Sequence, residues 1–153
     1  MHNGLIGSWN RLRRQVEALI PDELYPARIG TTDSEAIFLA IMGAGMDDPV
    51  GATEVTLARL TSFVNRGAAA GRLRFTSALA NGKDLYAFRY AVNDRANTLY
   101  YRESEQAIVV VSEPIDRDHS NWIAVPESHV LIAKAGEKAR VVPFLCQRRE
   151  AAE

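Results

Sequence analysis

The pattern of apolar and polar residues divides the chain into a helical first half and a strand-rich second half. The first apolar positions recur every three or four residues, at Trp9, Leu12, Val16 and Leu19. This spacing predicts an amphipathic helix from Ser8 to about Ile20, with its arginines outward and Ser8 as its N-cap.

A second helix is predicted to begin at Thr32-Asp33-Ser34-Glu35, which has the pattern of a capping box. The residues that follow, from Ala36 to Met42, are apolar on every side of a helix. We therefore expect this helix to lie deep in the structure and to end at Gly43 and Gly45.

A third helix is predicted from about Val50 to Asn65, ending near Gly67, and from Arg72 the period changes to the alternation of a strand. Asn81-Gly82 is a two-residue hairpin signal, which Leu85 to Tyr90 follow as the return strand. Further strands are predicted at Thr98–Arg102, Ala107–Ser112, Trp122–Val125, His129–Ala133 and Ala139–Phe144. Helices followed by a long antiparallel meander indicate the α+β class.

Length and charge describe one ordinary domain over residues 1–153. The 18 basic and 19 acidic side chains nearly balance, which argues against a nucleic-acid partner because phosphate contacts need a basic excess. No apolar run approaches the roughly 18 residues that a membrane span needs, and no signal peptide is visible. A single cysteine, Cys146, excludes an internal disulfide, so a cytoplasmic domain is expected.

The common catalytic motifs are absent from the sequence. It contains neither a dinucleotide fingerprint nor a P-loop, and its histidines lack metal-ligand spacing, so no cofactor and no metal are expected. Cys146 with His119 or His129 would make a nucleophile and a base. A cysteine without a catalytic task is the commoner interpretation, since no orienting residue is implied.

Two short segments carry candidate chemistry, one at His2-Asn3-Gly4 and one at Asp33. Hydrolysis of an amide creates an oxyanion, which two preorganised donors must face. Asn3 offers a side-chain NH₂ group, and Gly4 offers a backbone N–H on a residue without Cβ. Asp33 could bind the α-ammonium of a substrate, because Thr32 and Glu35 would satisfy the helix end and leave its carboxylate free.

Each of these residues also has a purely structural interpretation. Asn-Gly is most often a type I′ turn, although no strand is predicted before it here and a helix follows it. Asp33 in the first turn of a helix is favoured by the helix dipole alone. The residue pattern by itself leaves both interpretations open.

The sequence resembles the middle of class II glutamine amidotransferases, and most of all their small stand-alone bacterial branch. The resemblance runs to about Phe144 and rests on these segments: Met1–Ile6, Gly30–Phe38, Arg74–Thr76, Leu85–Tyr90, Thr98–Arg102, Ser112–Asp116 and Trp122–Pro126. It implies an N-terminal-nucleophile hydrolase fold, in which two antiparallel sheets lie between helical layers. It also implies hydrolysis of glutamine, or of another γ-glutamyl amide, with ammonia passed to a synthase or other acceptor enzyme.

By the same resemblance, Asn3 and Gly4 correspond to the oxyanion-hole residues, and Asp33 to the aspartate that holds the substrate's amino group. The family's nucleophile is an N-terminal cysteine, which this sequence does not have before its Asn-Gly motif. The first half of the fold is therefore expected to be missing, and the isolated 153-residue chain to be inactive.

Three hypotheses follow. The first is part of an amidotransferase, from a truncated gene or a misassigned start. The second is a non-catalytic binding or interaction module derived from the same fold. The third is an unrelated α+β interaction domain that shares the motifs by chance.

Overall fold

The computed structural model describes residues 1–66, 71–116 and 118–144. Gly67 and Cys146, which the sequence analysis names, lie outside the described residues. The chain forms two compact units, the first of which comprises Met1–Gly4 and Arg74–Phe144. The described part of the second unit lies within Leu5–Leu73.

Three α-helices and eight strands make up the described chain. In chain order they are β1 (His2–Ile6), α1 (Trp9–Glu17), α2 (Asp33–Ala44), α3 (Pro49–Asn65), β2 (Leu73–Ala80), β3 (Leu85–Val92), β4 (Tyr100–Glu103), β5 (Ile108–Val111), β6 (Ile123–Ala124), β7 (His129–Ala133) and β8 (Arg140–Pro143). The α+β class with antiparallel sheets, which the sequence predicts, is confirmed.

The strands form a five-stranded sheet in the order β1-β2-β3-β7-β8 and a three-stranded sheet in the order β5-β4-β6. The chain therefore does not form one continuous meander, because β4 to β6 leave the first sheet and β7 returns to pair with β3. A buried apolar cluster in the first unit draws on elements of both sheets and is centred on Ala87, Leu99, Val125 and Leu131.

The turn between β2 and β3 has four residues, 81–84, and not the two that the Asn-Gly signal predicts. The Asn81 side-chain oxygen accepts hydrogen bonds from the backbone N–H groups of Lys83 and Asp84, at 3.0 and 2.7 Å. Gly82 has a φ of 87°, a conformation that favours glycine. The hairpin is thus at the predicted place, with a longer loop that Asn81 closes.

Helix α1 begins at Trp9, directly after Ser8, but the Ser8 side chain does not cap it as predicted. Ser8 has a φ of 61°, and its side chain makes no capping hydrogen bond. Its backbone carbonyl oxygen instead accepts from Arg11 and Leu12. Val16 is the one fully buried residue of the helix.

Helix α2 continues past Gly43 to Ala44 and ends before Gly45, the second of the two glycines at which the sequence predicts its end. A Cβ on Gly43 would overlap the Pro21 ring, so glycine lets the chain after α1 pack closely against this helix. The prediction that α2 is buried on all sides is wrong, because Phe38 is 46% exposed and Met42 is 37% exposed. Gly45, with a φ of 108°, ends the helix.

Helix α3 begins after Asp48, whose side chain accepts the N–H of Gly51 at 3.1 Å. Leu57, Leu60 and Val64 of this helix are buried, and Phe63 is half-buried. Within the described part of the chain, no helix is long and apolar enough to cross a membrane.

The apolar cluster of the first unit predicts that valine-to-alanine substitution lowers the free energy of unfolding more at a buried position than at an exposed one. Val125 is 0% exposed and Val109 is 36% exposed. We expect Val125→Ala to lower the free energy of unfolding by about 1–3 kcal/mol, because it removes two buried methyl groups and leaves a cavity. Val109→Ala is the matched control, and denaturant unfolding of both variants measures the difference. Equal costs would contradict the assignment of Val125 to the core.

Candidate active site

Asn3 and Gly4 lie in the middle of strand β1, and not in a turn. The strand is not predicted from the sequence, which favours a turn at Asn-Gly. The backbone groups of Met1 and Ala78 exchange two hydrogen bonds, each of 2.9 Å, and thereby fix the pairing of β1 with β2. The strand exists because β2 supplies partners for it, although His2–Ile6 alone has no clear apolar alternation.

The Gly4 N–H is directed away from β2, toward the side of β1 that has no neighbouring strand among the described residues. Opposite residues of an antiparallel pair alternate between hydrogen-bonded and non-hydrogen-bonded. Because Met1 and Ala78 form a hydrogen-bonded pair, this alternation makes Gly4 and Phe75 a non-hydrogen-bonded pair. The Gly4 N–H therefore lies along the outer edge of the strand, where a ligand oxygen could accept it.

Gly4 also has a structural reason to be glycine. A Cβ at this position would overlap the backbone carbonyl oxygen of Arg74 and the imidazole of His2. The His2 ring itself packs on Phe75, with ring centroids 5.1 Å apart. Any side chain on Gly4 would therefore force the strand away from its partner.

The Asn3 side chain is exposed, and its oxygen is bound within the protein. Asn97 Nδ2 donates to both Asn3 Oδ1, at 3.0 Å, and the Asn3 backbone oxygen, at 3.1 Å. Among the described residues, none accepts a hydrogen bond from Asn3 Nδ2. The amide thus presents its donor side outward, which suits a group that must face a developing negative charge.

Asp33 is the first residue of helix α2. The expectation that its carboxylate is free is wrong, because both of its oxygens accept hydrogen bonds. Its Oδ2 accepts the N–H of Ile6 at 2.9 Å, and its Oδ1 accepts the N–H of Ser34 at 2.8 Å. Ile6 ends the strand that carries Asn3 and Gly4. No ion pair in the described part of the chain involves Asp33, so its negative charge has no cationic partner there.

The predicted capping box is half correct. Thr32 Oγ1 accepts the N–H of Glu35 at 3.3 Å, as a capping residue should. The Glu35 carboxylate does not return to Thr32 but accepts the N–H groups of Ile29, at 2.9 Å, and Gly30, at 2.8 Å. These bonds fix the loop that leads to Asp33.

Arg28 ties that loop to helix α1. Its guanidinium lies 2.7 Å from the Glu17 carboxylate and 3.2 Å from that of Glu35, and its side chain is only 4% exposed. The backbone N–H groups of Ile29 and Gly30, and then Arg28, hold the pKa of Glu35 below its ordinary value. Hydrogen bonds from Arg13 and Arg28 likewise lower the pKa of Glu17.

Of the other sequence candidates, the structure describes His119 and His129, and Cys146 lies outside the described residues. His129 Nδ1 lies 2.9 Å from the Glu127 carbonyl oxygen, and His119 lies in a short 3₁₀ helix, His119–Asn121. No group of three His, Cys, Asp or Glu side chains among the described residues could hold a metal ion.

The structure places the predicted residues in both units: Asn3 and Gly4 belong to the first, and Asp33 to the second. Sequence reasoning missed Asn97, which lies 94 residues from Asn3 along the chain. Its one local signal is its place in a polar connection between two strands, where a side-chain amide often makes specific hydrogen bonds.

The chain is similar to a glutamine aminotransferase class-II domain protein from Silicibacter pomeroyi, whose solved structure it matches with a TM-score of 0.87. The two sequences are 33% identical, and the match covers 97% of this chain and 67% of that chain. Neither a protein-family model nor a curated protein sequence matches the chain.

The lowered pKa values of Glu17 and Glu35 predict a loss of stability in acid. A carboxyl whose pKa is lower in the folded state stabilises the fold above the unfolded pKa, about 4.3 for Glu, and loses that contribution as the pH falls through the folded value. We expect the free energy of unfolding to decrease below about pH 4.3, and Glu35→Gln to flatten this decrease. Urea unfolding across the acid range measures it.

Glu23→Gln is the control for this prediction, because Glu23 is exposed and makes no ion pair with the described residues. The control should keep the acid dependence of the parent protein. An unchanged dependence in Glu35→Gln would show that the bonds of Glu35 to Ile29 and Gly30 do not favour its charged form.

Proposed function

Because this chain belongs to the class II glutamine amidotransferase family, we propose that its residues take part in hydrolysis of the glutamine side-chain amide, which yields ammonia and glutamate. One observation supports the proposal independently of the family relationship. Asn97 occupies Asn3 Oδ1 and leaves the Asn3 NH₂ group facing outward as a donor. A donor prepared in this way costs no reorganisation when the oxyanion forms.

Asn3 Nδ2 and the Gly4 N–H are the two proposed oxyanion donors. Attack on the amide carbon turns the carbonyl oxygen into an oxyanion, and hydrogen bonds that strengthen at that moment lower the barrier. The edge position of β1 supports the role of Gly4, because its N–H is directed away from β2. Their adjacency in one strand gives both donors the same rigid support.

Asp33 is the proposed binding residue for the α-ammonium of glutamine. The backbone N–H groups of Ile6 and Ser34 and the Ser34 hydroxyl donate to its carboxylate, and a carboxylate has about four acceptor positions in all. Capacity therefore remains for an ammonium group. Such a bond is charge-assisted, which makes it stronger than a neutral hydrogen bond.

The substrate class of the proposal is glutamine or another γ-glutamyl amide, and the acceptor of the ammonia is a synthase or other enzyme. The proposed fold relationship is that of the N-terminal-nucleophile hydrolases, and the nucleophile expected for the amidotransferases among them is a thiol. Cys146 is the single cysteine of the sequence and receives no role here. The assigned residues bind the substrate and stabilise the oxyanion.

Replacing the oxyanion donor should affect turnover more than binding. We expect Asn3→Ala to lower kcat for glutamine by about 10²–10³-fold, with a small change in KM, because the lost bond acts mainly in the transition state. Steady-state release of glutamate by the full-length native protein measures both constants. Asn121→Ala, an exposed asparagine of the same unit, is the control. An unchanged kcat in Asn3→Ala would remove the oxyanion assignment.

Removing the charge of Asp33 should affect binding instead. Asp33→Asn keeps an oxygen that can accept the Ile6 N–H, but it loses the charge that attracts an ammonium group. A hydrogen bond to a charged group contributes about 1.5–3 kcal/mol, so we expect KM for glutamine to rise about 10- to 150-fold. Asp22→Asn is the control, because Asp22 is exposed in the same unit. Equal KM values in both variants would exclude Asp33 from substrate binding.

A further inference from the structure

Asn97 lies in the connection between β3 and β4, and its side chain joins two different groups. Its Oδ1 accepts from Arg74 Nη1 at 3.4 Å, and its Nδ2 donates to Asn3 Oδ1 at 3.0 Å. A guanidinium has hydrogen-bond donors and no acceptor. The atom of Asn97 that faces Arg74 must therefore be the oxygen, and the atom that faces Asn3 must be the nitrogen.

This constraint passes on to Asn3. The amide nitrogen of Asn97 can only donate, so the two Asn3 atoms that it meets must both be acceptors. These atoms are the backbone oxygen and Oδ1, so Asn3 Nδ2 is the other terminal atom of the planar amide, the one that Asn97 does not bind. One guanidinium thus determines the orientation of two successive side-chain amides.

Further contacts hold this chain of bonds in place. The Asn97 backbone oxygen accepts from Thr76 Oγ1 at 3.1 Å and from Arg89 Nε at 3.0 Å. Arg74 in turn lies beside Asp94, with Nε and Oδ2 3.3 Å apart. Both the backbone and the side chain of Asn97 are therefore fixed before any ligand binds.

We infer that Asn97 is a positioning residue, which holds Asn3 Oδ1 so that Asn3 Nδ2 remains directed toward the oxyanion. This inference rests on the proposed function and adds a residue that acts through Asn3, without contact to the substrate. It also explains a charged pair, Arg74 and Asp94, whose effect on the reaction is to keep the amide of Asn97 in one orientation.

The substitution Asn97→Asp tests the inference, because it keeps the shape of the side chain and an acceptor for Arg74. It replaces the NH₂ group that faces Asn3 with an oxygen. Two facing oxygens repel, so the Asn3 amide turns over and donates its Nδ2 to the new carboxylate. We expect kcat to fall about 10²–10³-fold, as it does when one oxyanion donor is lost, while KM changes little.

Asn81→Asp is the matched control, since it makes the same change of charge in the β2–β3 turn. Toward the described residues the Asn81 side chain acts only as an acceptor, a role that a carboxylate keeps. Its kcat should equal that of the parent protein. Thermal unfolding of both variants checks that neither loses its fold.

A double substitution separates positioning from a general structural role. If Asn97 acts through Asn3, adding Asn97→Asp to Asn3→Ala should cause no further loss of kcat, because the donor is already gone. A further loss equal to that of Asn97→Asp alone would overturn the inference. A normal kcat in Asn97→Asp together with a low one in Asn3→Ala would also overturn it, and would leave the proposed function intact.

A measurement without turnover keeps the inference testable if Asn3→Ala leaves kcat unchanged and the proposed function fails. In ¹⁵N-labelled protein, the Asn3 side-chain NH₂ resonances should move in Asn97→Asp, because they gain a carboxylate acceptor, and stay in place in Asn81→Asp. Unmoved Asn3 resonances in Asn97→Asp would overturn the positioning role by themselves.

Discussion

The guanidinium of Arg74 can only donate hydrogen bonds, and the arrangement of the candidate oxyanion donor follows from that constraint. Because Arg74 donates to Asn97, the Asn97 atom that faces it must be the oxygen. The Asn97 nitrogen then faces Asn3, and the Asn3 atom that it meets must be an oxygen. An exposed asparagine would otherwise rotate freely between two nearly equivalent orientations. Here one orientation is selected by groups that are already in place in the folded first unit.

The backbone around Asn3 adds a second constraint. Strand β1 lies at the edge of its sheet, so half of its N–H groups are directed away from β2. Unpaired N–H groups at an edge are usually a liability, but they are also the donors that an anionic ligand needs. Asp33 accepts one of them, from Ile6, and the N–H of Gly4 is the next donor of the same alternation. Residue 4 must be glycine, because a Cβ there would overlap the Arg74 carbonyl oxygen.

The sequence predicted the parts of the fold that depend on local patterns. Helices α1 and α3 and most strands of the second half follow apolar periodicity, because each of these elements buries one face. Helix α2 follows instead from the capping sequence that precedes its apolar run. Sequence reasoning missed β1, because the five residues His2–Ile6 show no alternation and become a strand only through pairing with β2. It predicted too much burial for α2, since composition alone does not say that Phe38 and Met42 face outward.

The roles assigned to the candidate site stay predictions. Asn3, Gly4 and Asp33 could be singled out from the sequence, because amide hydrolysis requires their groups and the family pattern contains them. Asn97 could not be, since its hydrogen bond to Asn3 spans 94 residues of sequence and leaves no periodic signal. The hydrogen bond from Ile6 to Asp33 could not be predicted for the same reason, because it joins the start of a helix to a strand 27 residues earlier.

The central claim is that the donor side of the Asn3 amide is oriented before substrate arrives. Neutron diffraction from a perdeuterated crystal without ligand tests it most directly, because deuterons distinguish the nitrogen of an amide from its oxygen. The account predicts two deuterons on the Asn3 atom that faces away from Asn97, and two on the Asn97 atom that faces Asn3. Deuterons on the Asn3 atom that faces Asn97 would contradict it.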